Sequence, residues 1–329
     1  MPGSPLVVSL GDPAGIGPEM VARAWEARVD HQLPPFFAVG DAASVSAVWG
    51  GPLRVVDSVD AALAAFNEAF PVLHVLDSGQ LTPGEPTLDG AHCALRALEL
   101  GIGLARSEQV AGLITAPVSK VQLAQVGFTH PGQTEFIAER CGVERQQAVM
   151  MLAGPSLRVI PITVHVPLRQ AIDMLTVDLI VSRTTFAARG LCRSLGITSP
   201  RLAMAGLNPH AGEAGQMGDE EQRILLPALE QLRAQGLDVS GPHSPDAMFT
   251  PAARASYDAA ICLYHDQGLI PLKALHFDEG VNATLGLPIV RTSPDHGTAF
   301  GLAGTGQASP GATISAIRMA AEMVVQRRN

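Results

Sequence analysis

Residues 6–19, LVVSLGDPAGIGPE, set the pattern for the whole chain. A short apolar run at 6–10 breaks into a turn carrying Gly11, Gly15 and Gly17, and Pro18 stands where the first turn of a helix begins. The order strand, turn, helix then recurs. Further apolar runs lie at 110–114 before TAPVSK, 159–164 before His165, 202–207 before NPHAG, 259–264 before HDQG, and 288–290 before RTSPDHG. Helical patterning covers 18–28, 90–106, 133–141, 219–235 and 311–327. Buried strands alternating with helices specify an α/β fold whose sheets are largely parallel.

Composition narrows the function classes. A chain of 329 residues, 47% of them hydrophobic, is long enough for one large domain or two ordinary ones, with a substantial core. Net charge is -9 and no run of Lys and Arg tracks a phosphate backbone or an anionic bilayer, so neither nucleic acid nor membrane is an expected partner. The opening MPGSPLVVSLGDPAG has no basic n-region, and no apolar run approaches a spanning length. Cys93, Cys141, Cys192 and Cys262 are isolated, without CxxC spacing, which fits a reducing, cytoplasmic setting.

Of the 22 basic residues only Lys120 and Lys273 are lysines. A planar, permanently charged guanidinium does not replace a compact, tunable ammonium, so both lysines are candidate site residues, set against the plainer reading of leftovers on the surface.

In open α/β sheets ligands bind beyond the carboxyl ends of the strands, where His165, His210, His265 and Arg291 all fall. The three histidines are too far apart in sequence to share a helix. They converge only if three strand ends meet at one rim, and neutral imidazoles there suit zinc or a related divalent ion with one position left open. Each histidine alone is more often a hydrogen-bonded buried residue than a ligand, and it is three in equivalent local contexts that shift the balance. Asp266 and Glu213 stand as orienters of His265 and His210, or as solvated surface groups. His31, His74, His92 and His276 are read as ordinary surface or core residues.

Anion recognition is expected from Gln133, Thr134 and Glu135 at a helix start, with Lys273, Asn282 and Arg291. Thr134 reads as a ligand or as a helix cap. The GDPAGIGPE turn reads as a binding loop or as a structural turn, and it lacks the GxGxxG dinucleotide fingerprint. Small residues in Asp295-His-Gly297-Thr298-Ala299, with Gly304 and Gly306 after them, would admit a ribose or pyrophosphate close to the backbone; an ordinary loop is the alternative.

Taken together, GDPAGIGPE, TAPVSK, PGQTEF, NPHAGE, YHDQGLIPLK and TSPDHGTAF resemble, in order and spacing over nearly the whole chain, the 4-hydroxythreonine-4-phosphate dehydrogenase family of vitamin B6 (pyridoxine) biosynthesis. That family's fold is similar to the isocitrate and isopropylmalate dehydrogenases. The resemblance implies two α/β/α domains with mixed, largely parallel sheets and an active-site cleft. Residues 1–130 with 286–329 would form the cofactor side, and 131–285 would carry metal, substrate and dimerisation. It also implies a homodimer and a divalent metal (zinc first, magnesium or cobalt as alternatives) on His165, His210 and His265.

Substrate contacts would come from Gln133, Thr134, Lys273, Asn282 and Arg291. NAD, or NADP, would lie against Gly297, Thr298, Ala299 and Gly304. Lys273 and Asp246 are the catalytic candidates for proton transfer. The implied reaction is oxidation of 4-phosphohydroxy-L-threonine to 2-amino-3-oxo-4-phosphooxybutanoate, which decarboxylates to 3-amino-2-oxopropyl phosphate. Gln133 departs from the family's usual histidine, and Gly301 stands where an acidic residue is common among relatives. The first departure opens substrate choice to other four-carbon acid 4-phosphates, such as phospho-threonate or phospho-erythronate. From a different class, phosphate acyltransferases share a similar fold and need no three-histidine site.

Overall fold

The computed structural model describes residues 4–328. The chain divides into two compact units, one running to Cys141 and resuming at Pro288–Arg328, the other Gly142–Leu287. The strands are β1 (Leu6–Ser9), β2 (Phe36–Gly40), β3 (Leu53–Val56), β4 (Phe70–His74), β5 (Gly112–Thr115) and β6 (Val149–Gly154). They continue with β7 (Leu157–Pro161), β8 (Leu202–Ala205), β9 (Val239–His243), β10 (Ala259–Cys262), β11 (Val281–Leu285) and β12 (Arg291–Pro294).

In the first unit the strands run β3-β4-β2-β1-β5-β12, every pair parallel. From β1 the chain moves to β2 on one side and later to β5 on the other, so a topological switch point lies between β1 and β5. The strands are short, and those inside the sheet are buried because helices cover them, while the edge strand β3 leaves Arg54 and Val55 exposed. Thr87 starts the longest of these helices, Leu88–Arg106, by accepting a hydrogen bond from Gly90 N at 3.0 Å. Its inward stripe of Ala91, Ala94, Ala97, Leu98, Gly101 and Ile102 is small enough to lie close on the sheet.

In the second unit the order is β11-β6-β7-β10-β8-β9. β11, β6 and β7 pair antiparallel, whereas β7, β10, β8 and β9 run parallel. The consequence is positional: β7, β10 and β8 are neighbours, and they are the strands that precede His165, His265 and His210 respectively.

The α/β class and the largely parallel sheet stand as expected. Two local expectations need correction. Residues 288–290 are not a strand; β12 begins at Arg291 and consists of buried RTSP, polar residues whose groups find partners, such as Thr292 Oγ1 donating to Ala316 O at 2.8 Å. The pattern over 219–235 is two pieces, a π-helical turn at Glu221–Leu225 and a helix at Leu226–Ala234 whose second residue is Pro227.

Candidate functional site

The first unit gathers its polar groups at the switch point. Gly11, at φ 73°, brings the turn so close to the loop after β5 that a Cβ there would stand 2.2 Å from Pro117 O. Gly17 is as tightly held, 2.2 Å from Leu10 O by the same measure. The glycines of this turn therefore serve the protein's own packing, which favours the structural alternative. Asp12 closes it: its N–H donates to Pro117 O at 3.0 Å, its Oδ1 accepts from Ala14 N at 3.1 Å, and burial pushes its carboxyl above the ordinary value.

Arg291, the first residue of β12, is 3% exposed and donates from Nη2 to Thr115 Oγ1 at 2.7 Å. Burial pulls its guanidinium down to about 10 while the Glu135 carboxylate works against that shift, so it is a cation at neutral pH. Thr115, the last residue of β5, was not singled out from the sequence; its signal was its place at a strand end. Glu135 and Gln133 belong to the Gln133–Arg140 helix. Gln133 Nε2 donates to Ala116 O at 3.2 Å, and its Oε1 is buried without a hydrogen-bond partner. Gly132 occupies the N-cap and no side chain caps the helix, so Thr134 is not the cap.

The loop after β12 folds against the Gly11–Gly17 turn. Ile16 N donates to Thr298 O at 3.0 Å, Ala299 is left-handed at φ 43°, and a Cβ on Gly304 would meet Pro83 Cβ at 3.0 Å. Those three positions are shaped by the protein itself. Gly297 differs, since a Cβ built there has no neighbour within 4 Å, and the space above it is open to a group laid on the backbone.

In the second unit His165 and His265 come together, with ring centroids 5.6 Å apart. They line a cavity of about 190 Å³ with Thr163, Val166, Tyr264 and Asp266. The loop after β7 is stitched to the end of β10 by Ile162 N on Cys262 O at 2.7 Å and Thr163 Oγ1 on Leu263 O at 2.9 Å. His265 Nδ1 lies 2.7 Å from Asp266 Oδ1, and His210 Nδ1 lies 3.8 Å from Glu213 Oε2. At His265 the carboxylate holds Nδ1 and leaves Nε2 for a ligand, the orientation metal-binding histidines adopt, whereas at His210 the carboxylate is near but beyond hydrogen-bond distance.

His210 rides on an unusual turn, Pro209–Gly215, in which residues 210–214 are all left-handed; His165 is left-handed as well, at φ 52°. Such backbone costs about 1–3 kcal/mol per residue and clusters at functional sites. Two residues invisible to motif reading hold the loops. Buried Glu221 accepts from Leu207 N at 2.8 Å and Asn208 N at 2.7 Å, fixing the approach to His210. Gln267 accepts from Leu263 N and donates to Gly206 O, each at 2.7 Å, joining the loop after β10 to the loop after β8.

Asp246 is exposed; the Ser244 hydroxyl lowers its carboxyl pKa, with a smaller contribution from His210. Lys273 lies two turns along the His265–His276 helix, and Asn282 on β11 presents a buried Oδ1 without a partner.

Among the described residues, the one trio of metal-ligating type whose ligand atoms all lie within 4.8 Å of one another is Asp41, His74 and Asp77. His165, His210 and His265 have the right donor chemistry but are spread more widely than that. The Asp41 trio reads better as part of the local hydrogen bonding, with His74 Nδ1 accepting from Ala42 N at 3.4 Å. Its imidazole is threaded between carboxylates, Nδ1 toward Asp41 at 3.7 Å and Nε2 toward Asp77 at 3.3 Å. Asp41 already accepts from Ala43 N at 2.8 Å and Ser78 N at 3.0 Å.

No helix among the described residues is long and apolar enough to cross a membrane. The chain is 52% identical to a 4-hydroxythreonine-4-phosphate dehydrogenase of Zymomonas mobilis over 98% of its own length and 97% of that protein's. It is 53% identical to the protein of that name from Erythrobacter litoralis, covering 99% of this chain and 98% of the relative. The crystal structure of 4-hydroxythreonine-4-phosphate dehydrogenase from Klebsiella pneumoniae superposes with a TM-score of 0.84 at 37% identity, covering 98% of this chain and 99% of that one. Residues 34–320 match the family model described as pyridoxal phosphate biosynthetic protein PdxA. With identity above half to full-length relatives and a shared fold, the chain is an oxidoreductase and belongs to the PdxA family.

Proposed function

We propose that this oxidoreductase takes 4-phosphohydroxy-L-threonine, with NAD as hydride acceptor and a divalent metal at His165, His210 and His265, and yields 2-amino-3-oxo-4-phosphooxybutanoate. The product is a β-keto acid and loses carbon dioxide to give 3-amino-2-oxopropyl phosphate. The carrying observation is the strand order β7-β10-β8, which puts the strands preceding the three histidines side by side, with a carboxylate 2.7 Å from Nδ1 of His265 and another 3.8 Å from Nδ1 of His210. The names of the relatives at 52% and 53% identity support the substrate.

Bound there, a divalent ion would polarise the substrate's secondary hydroxyl and lower its pKa. The nicotinamide would supply the two-electron acceptor, over the open face of Gly297 beside Thr298, Ala299 and Gly304. The chain's own part is positioning and proton handling. Arg291 and Thr134 hold anionic and hydroxyl groups; Asn282 Oδ1 accepts from a substrate donor; Lys273 Nζ takes the hydroxyl proton, with Asp246 as a relay to solvent. Zinc is the first choice of ion for imidazole donors, ahead of magnesium or cobalt. We place the enzyme in the cytoplasm as a homodimer, with NADP as the lesser cofactor.

One observation favours a second substrate. Gln133 offers a neutral acceptor where a titratable ring was expected, which suits a hydroxyl as well as an ammonium donor, and so admits phospho-threonate or phospho-erythronate. The test is NADH production by metal-loaded protein with 4-phosphohydroxy-L-threonine beside 4-phospho-D-threonate and 4-phospho-D-erythronate. Turnover of the amino acid alone supports the first reading, preference for a sugar acid supports the second, and no NADH with any of them defeats both.

A further inference from the structure

Gln133 and Glu135, the first and third residues of the Gln133–Arg140 helix, each carry a buried oxygen, Gln133 Oε1 and Glu135 Oε2, with no hydrogen-bond partner among the described residues. Buried polar atoms are nearly always satisfied, so two orphaned acceptors this close in the chain ask for a donor. Their surroundings supply none. Glu135 stands where a carboxylate can reach back to the N–H of the cap residue, Gly132, yet its Oε2 makes no such bond. The Lys120 ammonium, near Gly132, is exposed and makes no ion pair or hydrogen bond among the described residues.

Both side chains work at the end of one strand. Gln133 Nε2 donates to Ala116 O at 3.2 Å, which fixes the amide with Oε1 as its free acceptor. Glu135 acts on the Arg291 guanidinium, whose Nη2 is bonded to Thr115 Oγ1. Thr115 and Ala116 are consecutive at the carboxyl end of β5, beside the switch point, where open α/β sheets take ligands. Anion recognition was the expectation for Gln133 and Glu135, but these two oxygens accept and cannot donate, and a carboxylate repels an anion. They suit a cationic donor, next to a guanidinium that suits an anion. A zwitterion with ammonium and carboxylate on one carbon presents that pair of groups.

We propose that Glu135, with Gln133 Oε1 as its neutral companion, is a specificity-determining residue that accepts hydrogen bonds from the ammonium of the phosphorylated amino acid; the inference rests on the substrate proposed above. Gln133 alone serves a hydroxyl as well as an ammonium. The Glu135 carboxylate tips the choice, because a charge-assisted hydrogen bond is roughly twice as strong as a neutral one.

Titration calorimetry of metal-loaded wild type and Glu135→Gln tests it, with 4-phosphohydroxy-L-threonine beside 4-phospho-D-threonate and 4-phospho-D-erythronate, in which a hydroxyl takes the place of the ammonium. Glu135→Gln keeps the shape and removes the charge. It is expected to weaken the amino acid about ten-fold and to leave the sugar acids within about two-fold, so that the preference narrows about ten-fold. Glu135→Asp, with the charge on a shorter arm, is expected to narrow it by less and is the test if the first variant does not fold. A loss shared equally by all three acids is what a role in holding Arg291 alone would give, and it overturns the proposal. So does an unchanged preference in a folded variant, or a wild type that favours a sugar acid. A Glu135-dependent preference in a protein that makes no NADH from any of the three drops the reaction and leaves the ammonium contact standing, and binding of none of them defeats both.

Discussion

The anion-binding residues of the first unit and the histidines of the second are built in opposite ways. Arg291 is 3% exposed, begins a buried strand and is tied to Thr115, and in the turn after β1 Gly11 and Gly17 are fixed by carbonyls 2.2 Å from any added Cβ. His165 and His210 stand on loops and His265 opens a helix, all partly open to solvent, with left-handed backbone at His165 and through residues 210–214. Desolvated charge tied into a sheet is preorganised and changes little when ligand arrives. Strained loops at strand ends keep freedom to close on an ion, and their conformation is stabilised when that ion binds.

The sharpest way to break this contrast is His210→Ala. Metal content and turnover are expected to fall together, turnover on the order of a thousand-fold, with the circular dichroism spectrum unchanged. Retained metal and activity would remove the second unit from the site. Next in size is Arg291→Met, expected to lower kcat/KM about 100-fold and to destabilise the fold by about 2 kcal/mol, because Glu135 and Thr115 lose their buried partner. Activity lost without any change in urea midpoint would show that the arginine is not part of the scaffold.

Gly11→Ala should cost about 2 kcal/mol from its left-handed φ and its clash with Pro117 O, read as a drop in urea midpoint; an unchanged midpoint would mean that the turn yields. The smallest effect is expected from Ala211→Gly, about 0.5 kcal/mol of added stability at φ 52°, and destabilisation there would deny that the histidine turn is strained.

Much of the scaffold was legible, for local reasons. Apolar runs ending in turn residues marked β1, β5, β7, β8 and β10, and with them the positions of His165, His210 and His265. β12 escaped because its four buried residues are Arg, Thr, Ser and Pro, whose burial depends on partners distant in sequence. The Val177–Leu195 helix escaped because its β-branched opening, VDLIV, resembles a strand locally, and its N-cap at Thr176 becomes evident only from the bond to Leu179 N. Thr134 was ambiguous in sequence and less so in structure, since Gly132 occupies the cap. The left-handed backbone at His210, like the roles of Glu221 and Gln267, has no sequence signature, because each is set by hydrogen bonds across tertiary structure.

Gln267 carries a consequence for motion. A side-chain amide that accepts from one loop and donates to another is a rivet: a carboxylate there would lose the donor, an aliphatic group would lose both, and either change leaves a buried backbone group unmet. The segments leading to His265 and His210 are therefore tied into a single hydrogen-bonded piece. The exchange rate of the Leu263 amide reports the breathing of that piece, so slow exchange there would mark the two histidine loops as one mechanical joint.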